Sequence, residues 1–241
     1  MTPPLFLVEE LPAGDELHLL GDEGRHAARV KRIGVGEAVL VSDGRGGLLE
    51  CVVGSVLPDG LELDVRARRS VPPPRPQVTI VQALPKGERA ELAVEMLTEL
   101  GADEIVPWAA SRSIAQWHGA RGDKALERWR RTTREAAKQS RRAWVPDVAP
   151  LATTGDIADR LRGVTGLVLH EAAATPLATA PLGSGNVVVV VGPEGGSTAA
   201  ELAAFETAGA CAVRLGDPVL RTSTAGAAAL AVLSLRLGRW A

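Results

Sequence analysis

Over the first seventy residues the apolar positions fall in short runs, several of which alternate with polar ones: LFLVE (5–9), ELHLL (16–20), EAVLVS (37–42), LLECVVG (48–54) and LELDVRA (61–67). Runs of this length and period predict strands. The segment DGRGG (43–47) joins two of them, and Asp-Gly between apolar runs predicts a hairpin. One short helical stretch, GRHAARVKRI (24–33), interrupts the series. Many short strands with glycine-rich turns predict a small β-barrel. The segment RRSVPPPRPQ (68–77) follows, and its three consecutive prolines predict a stiff, extended linker. The expected domains are therefore residues 1–72 and 73–241.

Beyond the prolines the rhythm changes. VTIVQAL (78–84) reads as a strand and KGERAELAVEMLTELG (86–101) as a helix, with Leu92, Ala93, Met96, Leu97 and Leu100 on one stripe and Gly101 as its C-terminal cap. EIVPW (104–108) is a further strand, and a long helix is expected over Asp123–Arg142. GLVLHE (166–171) and NVVVVVG (186–192) read as buried strands, followed by a helix, the strand AVRLG (212–216) and an alanine-rich last helix. Strands alternating with helices predict an α/β domain around a mostly parallel sheet.

Composition narrows the functional classes. Apolar residues make up 46% and charged residues 23% of 241, and the net charge is −2, so a nucleic-acid role needs a local basic patch. Cys51 and Cys211 lie far apart in apolar runs and are expected as buried thiols of a reducing compartment, with no metal site. The start lacks a basic region and a long apolar core, and no apolar run approaches a membrane span, so a cytoplasmic location is expected.

Candidate chemistry gathers in four places. The stretch VVVVVGPEGGSTAAELAAF (187–205) runs from a strand without alternation, as in a parallel sheet covered on both faces, into Gly192, Pro193, Glu194, Gly195 and Gly196. Ligands of such sheets bind beyond the carboxyl ends of the strands. The three glycines are expected to let a ligand approach the backbone, and Thr198 with Glu201 forms a capping-box pattern that starts the next helix. The pattern is neither G-x-G-x-x-G nor a P-loop, which disfavours NAD and ATP. In RLGDPVLRTSTAGAAALAVLSL (214–235), Arg221 stands among Thr222, Ser223 and Thr224 at a helix start, and small residues such as Gly226 suit close packing within the domain or against a second subunit. From Arg121 to Arg142 nine basic residues face three acidic ones, a local excess of six positive charges, with Ala125, Leu126, Trp129, Ala136 and Ala137 on the other face. One dominant sign points to a polyanion partner. His26, Arg29, Lys31 and Arg32 form a smaller basic cluster that reads equally well as a solvated short helix.

KGERAELAVEMLTELGADEIVPW, REAAKQSRRAWVP, GPEGG and LGDPVLRTSTA occur in the order and spacing of the ribosomal RNA small subunit methyltransferase E family, and the pattern HxxxVxRxxxGxxxxxxDG from His26 to Gly44 resembles that family's PUA-like N-terminal domain. The resemblance spans nearly the whole chain. It implies a SPOUT-class trefoil-knot methyltransferase domain behind a PUA-like β-barrel, working as a homodimer. It implies S-adenosylmethionine as cofactor and N3 of a uridine in the decoding region of 16S rRNA as the target. On that resemblance His170, Glu171, Gly192, Pro193, Glu194, Gly195, Gly196, Leu215, Gly216, Val219, Leu220 and Thr222 would hold the cofactor. His26, Arg29, Arg32, Arg128, Arg131, Arg134, Lys138 and Arg141 would bind RNA. Arg221 is the candidate for stabilising charge on the uracil ring. Ser223 stands where the family commonly carries an acid, and Asp217 stands in a loop that usually reads Gly-Pro-Arg, which makes it a conceivable base. The alternatives are a SPOUT enzyme acting at another rRNA or tRNA site, or a non-catalytic RNA-binding assembly factor.

Overall fold

A computed structural model describes residues 2–240, and the chain divides into two compact units. The first comprises the chain up to Pro73 together with Ala137–Val145. It contains β1 (Leu5–Leu7), β2 (Glu16–Leu19), α1 (Gly21–Arg25) running into a π-helical turn (His26–Val30), β3 (Ala38–Ser42), β4 (Gly47–Leu57) and β5 (Gly60–Ser70). The five strands form one sheet in the order β1-β3-β4-β5-β2, antiparallel except where β1 runs parallel to β3. As the Asp-Gly signal predicts, β3 and β4 are a hairpin. Phe6, Leu19, Val39, Val41, Leu49, Cys51, Leu61 and Leu63 fill its core. Burial pushes the Cys51 thiol up to about 11, which keeps it protonated and unreactive.

The proline-rich segment is only one of the crossings between the units. Residues 143–145 are bonded within the first unit: the Gly46 N–H donates to the Ala143 carbonyl at 2.9 Å, the Val145 N–H to the Gly44 carbonyl at 2.9 Å, and the Trp144 indole N–H to the Val71 carbonyl at 2.9 Å. Gly46 is required there, because a methyl group on it would stand 2.7 Å from the Trp144 ring.

The second unit comprises residues 74–136 and, of the described chain, 146–240. Its elements are β6 (Val78–Ala83), α2 (Arg89–Glu99), β7 (Glu104–Trp108), α3 (Gly119–Gln139, entering the first unit at its last turn), β8 (Asp147–Val148), α4 (Thr154–Leu161), β9 (Thr165–Leu169), β10 (Val187–Val191), α5 (Ala199–Thr207), β11 (Cys211–Val213) and α6 (Thr222–Arg236). Six parallel strands run in the order β11-β9-β10-β6-β7-β8. The valines of β10 divide between two cores. Val187, Val189 and Val191 pack with Val94, Leu97, Leu230 and Leu233 of α2 and α6, while Val188 and Val190 pack with Ile157, Leu161 and Phe205 of α4 and α5. Both faces are covered, so the apolar run shows no alternation. Burying each valine is worth about 1.5–3 kcal/mol.

The structure departs from the sequence reading at several points. Helix α3 begins at Gly119 and stops at Gln139, because Arg141 adopts a left-handed conformation (φ 55°) and the Arg142 N–H turns back to the Ala137 carbonyl at 2.9 Å. Helix α4 was not predicted, although Thr153 and Asp156 form a capping box at its start. Strand β11 ends at Val213, before Leu215. Cys211 is exposed, because it begins β11 at the edge of the sheet; the expectation of a buried thiol fails there. On α2 the buried face is Ala93, Val94, Leu97 and Thr98, and Leu92 is turned outward. The small residues of α6 serve packing within the unit, since a methyl group on Gly226 would meet Gln82 Oε1 and Leu97 Cδ2 at 3.2 Å and Val191 Cγ2 at 3.3 Å. Among the described residues no helix is long and apolar enough to cross a membrane.

The capping box of α5 does more than begin a helix. Glu201 Oε2 accepts the Thr198 N–H at 2.7 Å and the Thr198 hydroxyl at 2.9 Å, while Oε1 accepts the N–H of Ser111, in the loop after β7, at 2.8 Å. Burial would raise this carboxyl, but the Ser111 and Thr198 donors outweigh it and hold the group below its ordinary value. The native state therefore binds the Glu201 proton more weakly than the unfolded chain. The resulting stability is fully present above the ordinary carboxylate pKa and is lost as pH falls through the depressed native value. Glu201→Ala is expected to cost roughly 2 kcal/mol near neutral pH. Urea denaturation of both proteins should show the gap narrowing as pH falls below the ordinary carboxylate range; a gap independent of pH would rule this account out.

Candidate active site

A cavity of about 590 Å³ opens at the carboxyl ends of the second unit's strands, a size that suits a small organic ligand. Three loops build it. His170 and Glu171 follow β9, residues 192–197 follow β10, and residues 215–220 follow β11 and lead into α6, which adds Arg221, Thr222 and Ala225. The parallel sheet aims all of these connections to one side, where ligands of such sheets bind. All twelve residues expected around the cofactor line this one cavity. Arg112, from the loop after β7, also lines it, as do Leu169, Val191, Ser197 and Pro218. Sequence reasoning missed Arg112, although its place just beyond the strand EIVPW was the available signal.

The wall is largely main chain. Among the described residues, the backbone N–H and C=O groups of Leu215, Gly216, Val219 and Leu220 make no hydrogen bond to the rest of the chain. These groups are unengaged by the fold, and Gly216, Val219 and Leu220 are exposed, so this loop offers donors and acceptors to whatever enters. Within the 192–197 loop, the Gly196 N–H closes a turn onto the Pro193 carbonyl at 2.9 Å, and Gly196 takes φ +70°. The His170 Nδ1 accepts the Ala172 N–H at 3.2 Å, so a neutral ring carries its proton on Nε2.

The glycines divide differently from the expectation that all three admit a ligand. A methyl group on Gly195 would stand 3.2 Å from Arg112 Cβ, and one on Gly192 would stand 3.0 Å from Ser197 Oγ. Those two positions are small because neighbouring chain crowds them. Gly196 meets nothing within 4 Å and is set by its left-handed backbone.

The three catalytic candidates lie in different surroundings. Arg221 is the N-cap residue of α6, its side chain makes no capping bond, and it lines the cavity. Asp217 lies outside the lining; its exposed carboxylate pairs with Arg214 at 3.1 Å. Ser223 is buried within α6, also outside the lining.

The basic residues differ as much. In the second unit Arg128 pairs with Glu91 at 3.0 Å, whereas Arg131 and Arg134 are exposed and form no ion pair among the described residues. In the first unit Arg29 is held by Asp59 at 3.0 Å and the Pro58 carbonyl at 2.9 Å, and Lys138 pairs with Glu23 at 2.6 Å with both side chains mostly covered. His26 is half-buried at the start of the π-helical turn, and Arg32 and Arg141 are exposed arginines in left-handed backbone (φ 54° and 55°).

Comparison with known proteins agrees with this geometry. Residues 72–234 match the RNA methyltransferase domain family, and residues 19–65 match the RNA methyltransferase PUA domain. The chain is 49% identical to the ribosomal RNA small subunit methyltransferase E of Mycobacterium tuberculosis, across all of this chain and 94% of that one. It is 30% identical to the protein of the same name from Bacillus subtilis, across 94% and 91% of the two chains. The crystal structure of a ribosomal RNA small subunit methyltransferase E from Neisseria gonorrhoeae bound to S-adenosyl methionine superposes with a TM-score of 0.88 at 28% identity, covering 98% of each chain. With the domain match over residues 72–234 and the identity to these proteins along nearly the whole chain, the chain belongs to the ribosomal RNA small subunit methyltransferase E family.

Proposed function

We infer that this protein methylates N3 of a uridine in the decoding region of 16S rRNA, using S-adenosylmethionine, in the cytoplasm where ribosomes are assembled. The observation that carries the reading is the cavity wall itself. Unpaired backbone donors and acceptors at Leu215–Leu220 suit the edge of an adenine ring, and the cavity volume of about 590 Å³ suits a nucleoside with its amino-acid arm. S-adenosylmethionine, when bound, supplies an electrophilic methyl group on a sulfonium sulfur.

The rest falls to the protein. Uracil N3–H is a weak acid; it must lose its proton as N3 bonds to the methyl group, and negative charge then spreads to O2 and O4. A cation aimed at that charge lowers the barrier. Arg221 fits this role, because it lines the cavity at the start of α6 and its guanidinium has no carboxylate partner among the described residues. A uridine within RNA must also leave its stack to reach the cavity. In a methyl-transfer assay, Arg221→Ala should slow single-turnover methylation by roughly a hundredfold. Its affinity for S-adenosylmethionine and RNA should change far less, since the charge Arg221 meets arises mainly in the transition state. Nucleoside mass spectrometry of rRNA from a deletion strain should lack 3-methyluridine. Loss of a different methylated nucleoside would redirect the enzyme to another site, and an unchanged profile would leave a binding factor in its place.

RNA is held by exposed arginines whose charge is not already spent. On α3, Arg131 and Arg134 meet that condition better than Arg128 and Lys138. Arg131→Glu with Arg134→Glu should weaken RNA binding and lower the slope of log affinity against log salt by roughly one to two, since each lost phosphate contact releases fewer counterions. Arg128→Glu should do less. An unaltered slope in the double variant would make the face a solvated surface.

The active form is a homodimer. Leu92 on α2, Leu235 on α6 and Trp240 just beyond α6 are 47%, 65% and 46% exposed, large apolar side chains of the kind a second copy covers. Sedimentation equilibrium at micromolar concentration should return twice the 25.1 kDa chain mass. Leu235→Glu should shift it to monomer, and a monomeric parent protein would end the proposal.

A further inference from the structure

Arg112 is the one cavity-lining cation that neither the cofactor loops nor α6 supplies. It follows β7, and in the order β9-β10-β6-β7 the glycine-rich loop after β10 lies between it and His170. The loops after β9 and β11 thus bound the cavity on one flank of the glycine-rich loop, and Arg112 bounds it on the other. Its attachment is specific. Nη1 donates to the Gly195 carbonyl at 3.1 Å, and its Cβ and Cδ lie against the bare Cα of Gly195, within 3.2 and 3.6 Å of where a methyl group would be. The N–H of the preceding residue, Ser111, is fixed by Glu201 at 2.8 Å. Yet the side chain is exposed, and among the described residues it forms no ion pair.

A long, flexible cation gains little from one backbone carbonyl, because holding it still costs side-chain entropy. A guanidinium anchored by one N–H keeps its remaining donors in a fixed plane, the arrangement that binds an oxyanion through two parallel bonds. We propose that Arg112 is a pre-organised oxyanion-binding residue of the cavity, held in place by Gly195 and, through Ser111, by Glu201. Its ligand is a phosphate oxygen of the RNA or the carboxylate of the cofactor's amino-acid arm. Its position on the β6–β7 flank, away from the main-chain wall of Leu215–Leu220, favours the phosphate. This rests on the RNA methyltransferase reading of the cavity.

The test uses the full-length protein as wild type, Arg112→Ala and Arg112→Lys, each first checked for an unchanged thermal midpoint. An rRNA fragment is titrated at several salt concentrations. S-adenosylmethionine and its decarboxylated form are titrated by calorimetry. If the ligand is a phosphate, Arg112→Ala weakens RNA binding roughly tenfold or more and lowers the salt slope by about one. Arg112→Lys then restores the slope but not the full affinity, because a point charge lacks the fork, and both cofactor forms bind as before. If the ligand is the carboxylate, Arg112→Ala loses S-adenosylmethionine affinity while the decarboxylated form is unaffected. Either outcome supports the assignment. Unchanged affinities for all three ligands overturn it. So does an equal loss for both cofactor forms with an unchanged RNA slope, which would make Arg112 a brace for the glycine-rich loop only. A wild-type protein that binds neither RNA nor S-adenosylmethionine would instead remove the functional reading beneath it.

Discussion

Strands β6, β9 and β10 are covered on both faces, and that constraint governs where chemistry can occur in the second unit. A parallel strand buried on both sides has no room for a functional side chain along its length; the five valines of β10 face one core or the other. Function is displaced to the carboxyl ends, where the chain must turn. Because neighbouring strands run in the same direction, the turns after β7, β9, β10 and β11 all arrive on one side. The cavity is a consequence of the sheet, and its walls are main chain because turns expose main chain.

Two of the turns around the cavity, those after β7 and β10, are tied together by one buried carboxylate. Glu201 closes the start of α5 just after the glycine-rich loop and also grips the loop after β7, which brings Arg112 against Gly195. Gly192 and Gly195 belong to this same arrangement, since they let neighbouring chain come close. Local helix capping and long-range loop order are thereby one set of hydrogen bonds, with a common sensitivity to acid.

Charge is distributed with similar economy. A count along the chain finds one dense basic stretch, from Arg121 to Arg142. In the folded chain some of that charge is already answered: Arg128 by Glu91, Arg130 by Glu127 and Lys138 by Glu23. An ion pair inside the fold lowers the field available to an outside polyanion, so the cations that remain unanswered matter more than the total. Arg131, Arg134, Arg112 and Arg221 are in that group.

Local pattern by itself determined much of this protein. The non-alternating valines announced a strand covered on both faces, Thr198 and Glu201 announced the start of a helix, Asp43 and Gly44 announced a hairpin, and four ordered motifs announced the family. Each of these signals acts over a few residues, or is a resemblance that needs no coordinates. Tertiary structure decided what depends on partners distant in sequence. It returned residues 137–145 to the first unit, left Cys211 on the surface at a sheet edge, buried Ser223, and turned Asp217 toward Arg214. It also brought Arg112 to Gly195, more than eighty residues along the chain. Periodicity records which face of an element is apolar, but not which distant element will cover it or which carboxylate will meet a given arginine.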